Sequence, residues 1–198
     1  MRIKKVFVVD DEKTQIVSRM FNRVLLSVGV SHLDMLEFHI RDTNAVMLDE
    51  ERGTIVVDYN HRFIQERDEK GIAALLLFLL FELLVRDRTT ATLPNFILRL
   101  QANRLMIHEG FGDQLFYLYY AEMHAMQFQT KEDVLNSNLP WLSFTLSDEI
   151  AADQLKHLCL GSIQHSKAWD LLFYYAAKDL THPRNVEDIC HAYAEVMG

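Results

Sequence analysis

The chain has 198 residues, the length of one ordinary domain, and its 49% hydrophobic and 24% charged residues exclude disordered and fibrous proteins. The formal net charge is −8, and Lys and Arg form no run longer than a pair, which argues against nucleic-acid and membrane partners. The N-terminal segment is too short and too soon charged for a secretory signal, so we expect a cytoplasmic protein.

The N-terminal third predicts a small sheet and one helix. Short apolar or alternating runs indicate four strands, at residues 5–9, 36–41, 45–48 and 54–58. Between the first two strands, apolar residues at helical spacing predict a helix that Asp11 caps and Gly29 ends. Glu37, His39 and Arg41 alternate with apolar residues in the second strand, which predicts a face open to water.

Residues 71–85 are apolar except for Glu82 and predict a central helix. A helix that is apolar on every side must be buried on every side, so this segment marks the centre of the fold. The run is shorter than the roughly 20 residues that a membrane span needs, and charged residues flank it. Glu82 is the one ionisable group on this helix, and this makes it a candidate catalytic residue.

Cap signals predict only helices after this segment. Pro94 begins one helix that Gly110 ends, and Thr130 with Asp133 resembles a capping box. The remaining helices are predicted at residues 114–127, 147–161, 163–180 and 186–196, the last capped by Asn185. The run from Asn136 to Pro140 predicts a loop, with a sub-domain boundary near residues 136–146.

Together these elements predict a mostly helical α+β fold whose small N-terminal sheet packs on the buried central helix. We expect residues 1–198 to form a single domain. Its β-containing part covers residues 1–60, and its helical part covers residues 61–198.

Sequence motifs for cofactors and metals are missing. The chain has no Gly-rich phosphate loop, no Gly-x-Ser-x-Gly elbow and no zinc-finger spacing. No two of its nine histidines stand three or four residues apart, so no single helix presents a histidine pair to a metal. We therefore expect no cofactor and no bound metal.

The opening Val-Phe-Val-Val-Asp10-Asp11 resembles the first strand of response-regulator receiver domains. This resemblance implies that Asp10 and Asp11 hold Mg²⁺ and that Asp58, at the end of Ile-Val-Val-Asp, accepts a phosphoryl group. The likeness covers about sixty residues, because the central helix replaces the later receiver strands. The alternative for the two N-terminal acids is that they end a strand and cap a helix.

The order of elements resembles the minimal zincin-like metallopeptidase fold, whose buried helix carries His-Glu-x-x-His. The matching string is Phe81-Glu82-Leu-Leu-Val85, so the resemblance places Glu82 at the general-base position. Phe81 and Val85 replace both ligand histidines, and neither side chain offers a metal a lone pair. The chain therefore resembles a zincin-like protein without its zinc site.

Residues 100–113 resemble the segment after the active-site helix in uncharacterised archaeal zincin-like families. That segment often supplies the third metal ligand. The resemblance therefore implies that Asn103, His108 and Glu109 are remnants of a metal site.

The first functional hypothesis is a catalytically inactive zincin-like protein that acts as a binding or oligomeric interaction module. The aromatic residues at 116–120 and 169–175 suit a homodimer or another protein partner. One alternative is a hydrolase that uses Glu82 with acids or histidines from other helices. The other alternative is a divergent receiver-like signalling module with Asp10, Asp11 and Asp58.

Overall fold

The computed structural model describes residues 2–7, 9, 11–29, 35–43, 46–49, 53–89, 93–123, 130–159 and 165–198. Its strands are β1 (Arg2–Phe7), β2 (Met35–Arg41), β3 (Met47–Asp49) and β4 (Thr54–Asp58). Its α-helices are α1 (Glu12–Val28), α2 (Arg62–Gln65), α3 (Glu69–Arg88), α4 (Asn95–Met106), α5 (Gly112–Glu122), α6 (Lys131–Phe144), α7 (Glu149–Cys159), α8 (Lys167–Ala176) and α9 (Pro183–Met197). The predicted mostly helical α+β fold with a small N-terminal sheet is confirmed.

The chain divides into two compact units, and the division falls after Leu83. Residues 1–83 contain the sheet, and residues 84–198 contain the helices from α4 onward. The division falls inside α3, and a sub-domain boundary near residues 136–146 stays a prediction.

The sheet of the first unit has the strand order β1-β2-β4-β3. β1, β2 and β4 are parallel, whereas β3 pairs antiparallel with β4. Helix α1 connects β1 to β2, as a parallel pair requires. Phe38 of β2 is fully buried and stacks on Phe21 of α1, with ring centroids 4.1 Å apart. Burial of apolar side chains between strand and helix therefore holds this unit together.

The face of β2 that carries Glu37, His39 and Arg41 is less open to water than the sequence predicts. His39 has only 6% of its surface exposed. Its Nε2 lies 2.8 Å from a Glu37 carboxylate oxygen, and its Nδ1 lies 2.5 Å from a guanidinium nitrogen of Arg41. Lys4 of β1 also pairs with Glu37, at 3.0 Å. The alternation of apolar and polar residues predicted this strand correctly. His39 on its polar face can be buried because Glu37 and Arg41 give both ring nitrogens a hydrogen-bonding partner.

Helix α3 confirms the predicted buried segment and extends it to residues 69–88. Leucines on every side of the helix are buried: Leu76, Leu77, Leu79, Leu80 and Leu83 have at most 9% of their surface exposed. Among the described residues, no helix is long and apolar enough to cross a membrane.

Apolar side chains of α4, α6, α8 and α9 form the core of the second unit. Ile97, Leu100, Leu142, Leu172 and Ile189 are fully buried in it. The capping box that begins α6 is confirmed, because the Thr130 hydroxyl accepts from the Asp133 amide and the Asp133 carboxylate accepts from the Thr130 amide.

The loop predicted at residues 136–140 is wrong, because α6 runs through it without a break. The Ser137 hydroxyl and the Asn138 amide both donate to the Val134 carbonyl, at 2.7 and 2.8 Å. These side chains therefore bond to the helix instead of forming a turn. Pro140 remains inside the helix although it lacks an amide hydrogen. Burial of this segment outweighs its turn preference.

A kink at Gly110, inside the π-helical turn at Ile107–Phe111, separates the helix that contains α4 from α5. Gly110 has φ 89° and is not helical, which is the left-handed conformation in which helices commonly end, so the predicted helix end at Gly110 is confirmed. The last helix differs from its prediction: α9 begins at Pro183 after His182 and not after an Asn185 cap. Proline is favoured at a first helical position because its missing amide hydrogen has no partner there anyway.

Candidate functional site

A cavity of about 650 Å³ opens in the second unit. The end of α3, helix α4 with its π turn, the end of α6 and the segment between α8 and α9 line it. Its apolar lining consists of Val85, Leu105, Ile107, Leu146 and Leu180. Its polar lining consists of Arg88, Thr89, Gln101, Arg104, His108, Ser143, Ser147, Asp179 and Thr181. Most of the surface that these residues expose in the cavity is apolar, and this character and the size are typical of small-molecule sites.

Arg104 of α4 joins the C-terminal ends of two helices beside the cavity. Its guanidinium group donates to the carbonyl of Leu142 in α6 at 3.1 Å, to that of Ala176 in α8, and to that of Lys178 at 2.7 Å. Carbonyls at helix ends lack amide partners within their helix and carry partial negative charge, so a cation is favourable there. Burial lowers the pKa of Arg104 to about 10, which leaves the group protonated at neutral pH.

Asp179 is the anionic group of the cavity. Its carboxylate accepts the Thr181 amide hydrogen at 2.9 Å and the Thr181 hydroxyl at 2.8 Å. These hydrogen bonds, and after them the nearby charges of Arg104 and His182, lower the pKa of Asp179 below its ordinary value. The carboxylate is therefore ionised at neutral pH.

Arg88 and His108 are exposed basic side chains of the lining. His108 lies 3.5 Å from the carboxylate of its neighbour Glu109. Arg88, the last residue of α3, makes no hydrogen bond or ion pair with any residue that the structure describes. Its guanidinium group is therefore available to a ligand.

The predicted remnants of a metal site separate into different environments. His108 lines the cavity, whereas Glu109 is exposed outside its lining. Asn103 is buried behind the cavity, where its amide donates to the Tyr119 hydroxyl at 2.5 Å and to the Ser143 hydroxyl at 2.9 Å. Among the described residues, no three His, Cys, Asp or Glu side chains come together as a metal site requires.

Glu82 is buried in α3, with 3% of its surface exposed. Its neighbours at the zincin ligand positions, Phe81 and Val85, are buried as well. Glu82 does not line the cavity. A catalytic role for Glu82 stays a prediction.

Asp11 and Asp58, two of the acids that resemble receiver residues, accept hydrogen bonds from nearby groups. The Asp11 carboxylate caps α1 by accepting from the Thr14 amide at 2.9 Å, and its second oxygen accepts from the Tyr59 hydroxyl at 2.5 Å. These hydrogen bonds lower the pKa of Asp11. Asp58 has 8% of its surface exposed and accepts from the Asn60 amide at 3.1 Å. Asp10 lies outside the described residues.

Sequence reasoning missed Arg88, Arg104 and Asp179. In the sequence, Arg88 is one of several charged residues that follow the central helical segment, and nothing distinguishes it from Arg86 and Asp87. Arg104 offered one signal, because it stands four residues after the core residue Leu100, where a surface charge is unexpected.

Comparison with protein-family models, curated proteins and solved structures finds no match for this chain.

Proposed function

We propose that this protein is a binding module without metal-dependent catalysis, and that its second unit binds a small, mostly apolar molecule. The observation that carries the proposal is the cavity of about 650 Å³, whose apolar residues come from several helices and their connections. Filling such a cavity removes apolar surface from water, which favours binding by about 25 cal/mol per Å² before the costs of association.

The polar groups of the cavity support binding over hydrolysis. The Ser143 hydroxyl donates to the Leu139 carbonyl at 2.6 Å, so it is not activated by a base. Asp179 is bound to Thr181, and Arg104 is bound to helix carbonyls. These groups are held in fixed positions, which suits recognition of a ligand.

We also propose, from the resemblance of its sequence, that the chain is a zincin-like protein without its zinc site. Phe81 and Val85 are apolar at the two positions where that fold needs ligand histidines. A zincin-like helix without both ligands cannot build the zinc site of that fold, which is compatible with a binding role in place of peptidase activity.

A titration with an apolar fluorescent probe tests the binding function. We expect one saturable site per chain and a loss of binding of at least tenfold in Leu105→Trp, which places a larger side chain in the cavity. Leu26→Trp is the matched control, because Leu26 is 84% exposed on α1 and does not line the cavity. Equal probe affinity in wild type and Leu105→Trp would refute the proposal.

Self-association is a second candidate function. A smaller cavity of about 360 Å³, lined by Phe116, Phe144 and Ile150 among others, also opens in the second unit. Ile150 is 74% exposed, and Tyr120, which stacks on Phe116 with centroids 6.0 Å apart, is 51% exposed. Exposed apolar and aromatic groups of this kind favour a second copy of the chain as partner.

A further inference from the structure

We propose that the ligand of the larger cavity is an amphipathic carboxylate, an alkyl chain with one carboxylate group, and that Arg88 binds this head group. The inference rests on the proposed binding function and names its ligand class.

Arg88, Arg104 and His108 are basic side chains of the lining, and they differ in what they can offer a ligand. The terminal nitrogens of Arg104 donate to backbone carbonyls, and its Nε is buried. His108 is next to the carboxylate of Glu109, which partly compensates any charge it carries. Arg88 is exposed and has no hydrogen-bonding partner among the described residues. Only Arg88 therefore presents a whole guanidinium group, which binds a carboxylate through two parallel hydrogen bonds.

The charge of the lining selects an anion. Arg88 and Arg104 carry two positive charges against the one negative charge of Asp179, which leaves +1 with His108 neutral. The whole chain carries −8, so this positive local balance is opposite in sign to the rest of the protein. A ligand with one negative charge is complementary to it.

The apolar lining favours a ligand that has an apolar part as well as an anionic group. A small anion such as phosphate would engage Arg88 and leave Leu105, Leu146 and Leu180 in contact with water. An alkyl chain covers these side chains, and each buried CH₂ group strengthens binding about fourfold. The combination of the exposed Arg88 guanidinium group with an apolar lining therefore fits an alkyl carboxylate.

Displacement of the fluorescent probe from the full chain by decanoate and by decanol tests the proposal. The two ligands share their chain length and differ in the charged head group. We expect decanoate to bind wild type about tenfold more tightly than decanol, because a hydrogen bond to a charged group is stronger than one to a neutral group. In Arg88→Gln we expect the affinity for decanoate to fall to that of decanol, while the affinity for decanol stays unchanged.

Arg184→Gln is the matched control, because Arg184 is exposed on α9 of the same unit and does not line the cavity. It should keep the preference for decanoate. Equal affinities for the two ligands in wild type, or an equal loss in both arginine variants, would overturn the assignment of Arg88 and leave the binding function intact. Failure of both ligands to displace the probe would overturn the carboxylate proposal, whereas failure of the probe itself to bind would overturn the binding function.

Discussion

Replacing Arg104 with Met tests whether this side chain joins the ends of α6 and α8. Methionine has a similar length and no hydrogen-bond donor, so the carbonyls of Ala176 and Lys178 lose their charged partner. The Leu142 carbonyl keeps the Thr145 hydroxyl as a donor, at 2.9 Å. All three hydrogen bonds from the charged group to carbonyls are therefore lost, and two of them leave a carbonyl without its charged partner. Each of these two is worth about 1.5–3 kcal/mol, and water recovers part of this at a half-buried site. We expect the free energy of unfolding to fall by about 2–4 kcal/mol.

Urea denaturation followed by tryptophan fluorescence measures this loss. The two tryptophans, Trp141 and Trp169, both lie in the second unit, on the helices that Arg104 joins. The signal therefore reports unfolding of the affected unit. Arg184→Met is the matched control and should stay within about 0.5 kcal/mol of wild type, as exposed substitutions do. A loss below about 1 kcal/mol in Arg104→Met, or an equal loss in the control, would refute the joining role.

Four further predictions follow from other parts of the molecule. Leu80→Ala should lower the free energy of unfolding by about 2–5 kcal/mol, because Leu80 is fully buried in α3; a denaturant melt with a loss below about 1 kcal/mol would make this helix peripheral. The pKa of Asp179 is lower in the folded state than its ordinary value of 3.8, so its stabilising effect is complete above that pH and disappears as pH falls through the folded-state pKa; Asp179→Asn should flatten the acid limb of stability, and an unchanged limb would contradict this. We expect a homodimer that Ile150→Glu dissociates, and light scattering that gives 23.1 kDa for concentrated wild type would contradict self-association. Elemental analysis after dialysis should find no stoichiometric zinc, because Phe81 and Val85 cannot ligate it; about one zinc per chain would refute this.

Features that depend on neighbouring residues could be predicted from the sequence. The buried helix α3 is evident because a run that is apolar on every side has only one favourable environment. The Thr130–Asp133 capping box and the Asp11 cap were predictable for a related reason, since a cap involves groups only three residues apart. The small sheet was likewise indicated by short apolar and alternating runs.

Features that depend on distant residues came only from the tertiary structure. The sequence predicted a loop at 136–140 from its turn-forming residues, and burial of α6 overrode that preference. The sequence pointed to Glu82 because the string around it is the part of the chain most similar to a catalytic motif. The cavity instead combines Arg88, Arg104 and Asp179, which stand in three separate segments and share no spacing that a motif could record.

The physical reason for this difference is the range of the interactions. Helix periodicity and capping act within one or two turns, so local sequence determines them. The position of Arg104 depends on carbonyls that lie 38 to 74 residues away along the chain. Those carbonyls become acceptors for it only when α4, α6 and α8 pack around a common core. The sequence by itself therefore determined the helix caps and the buried segment, and packing of the helices decided which side chains line the cavity.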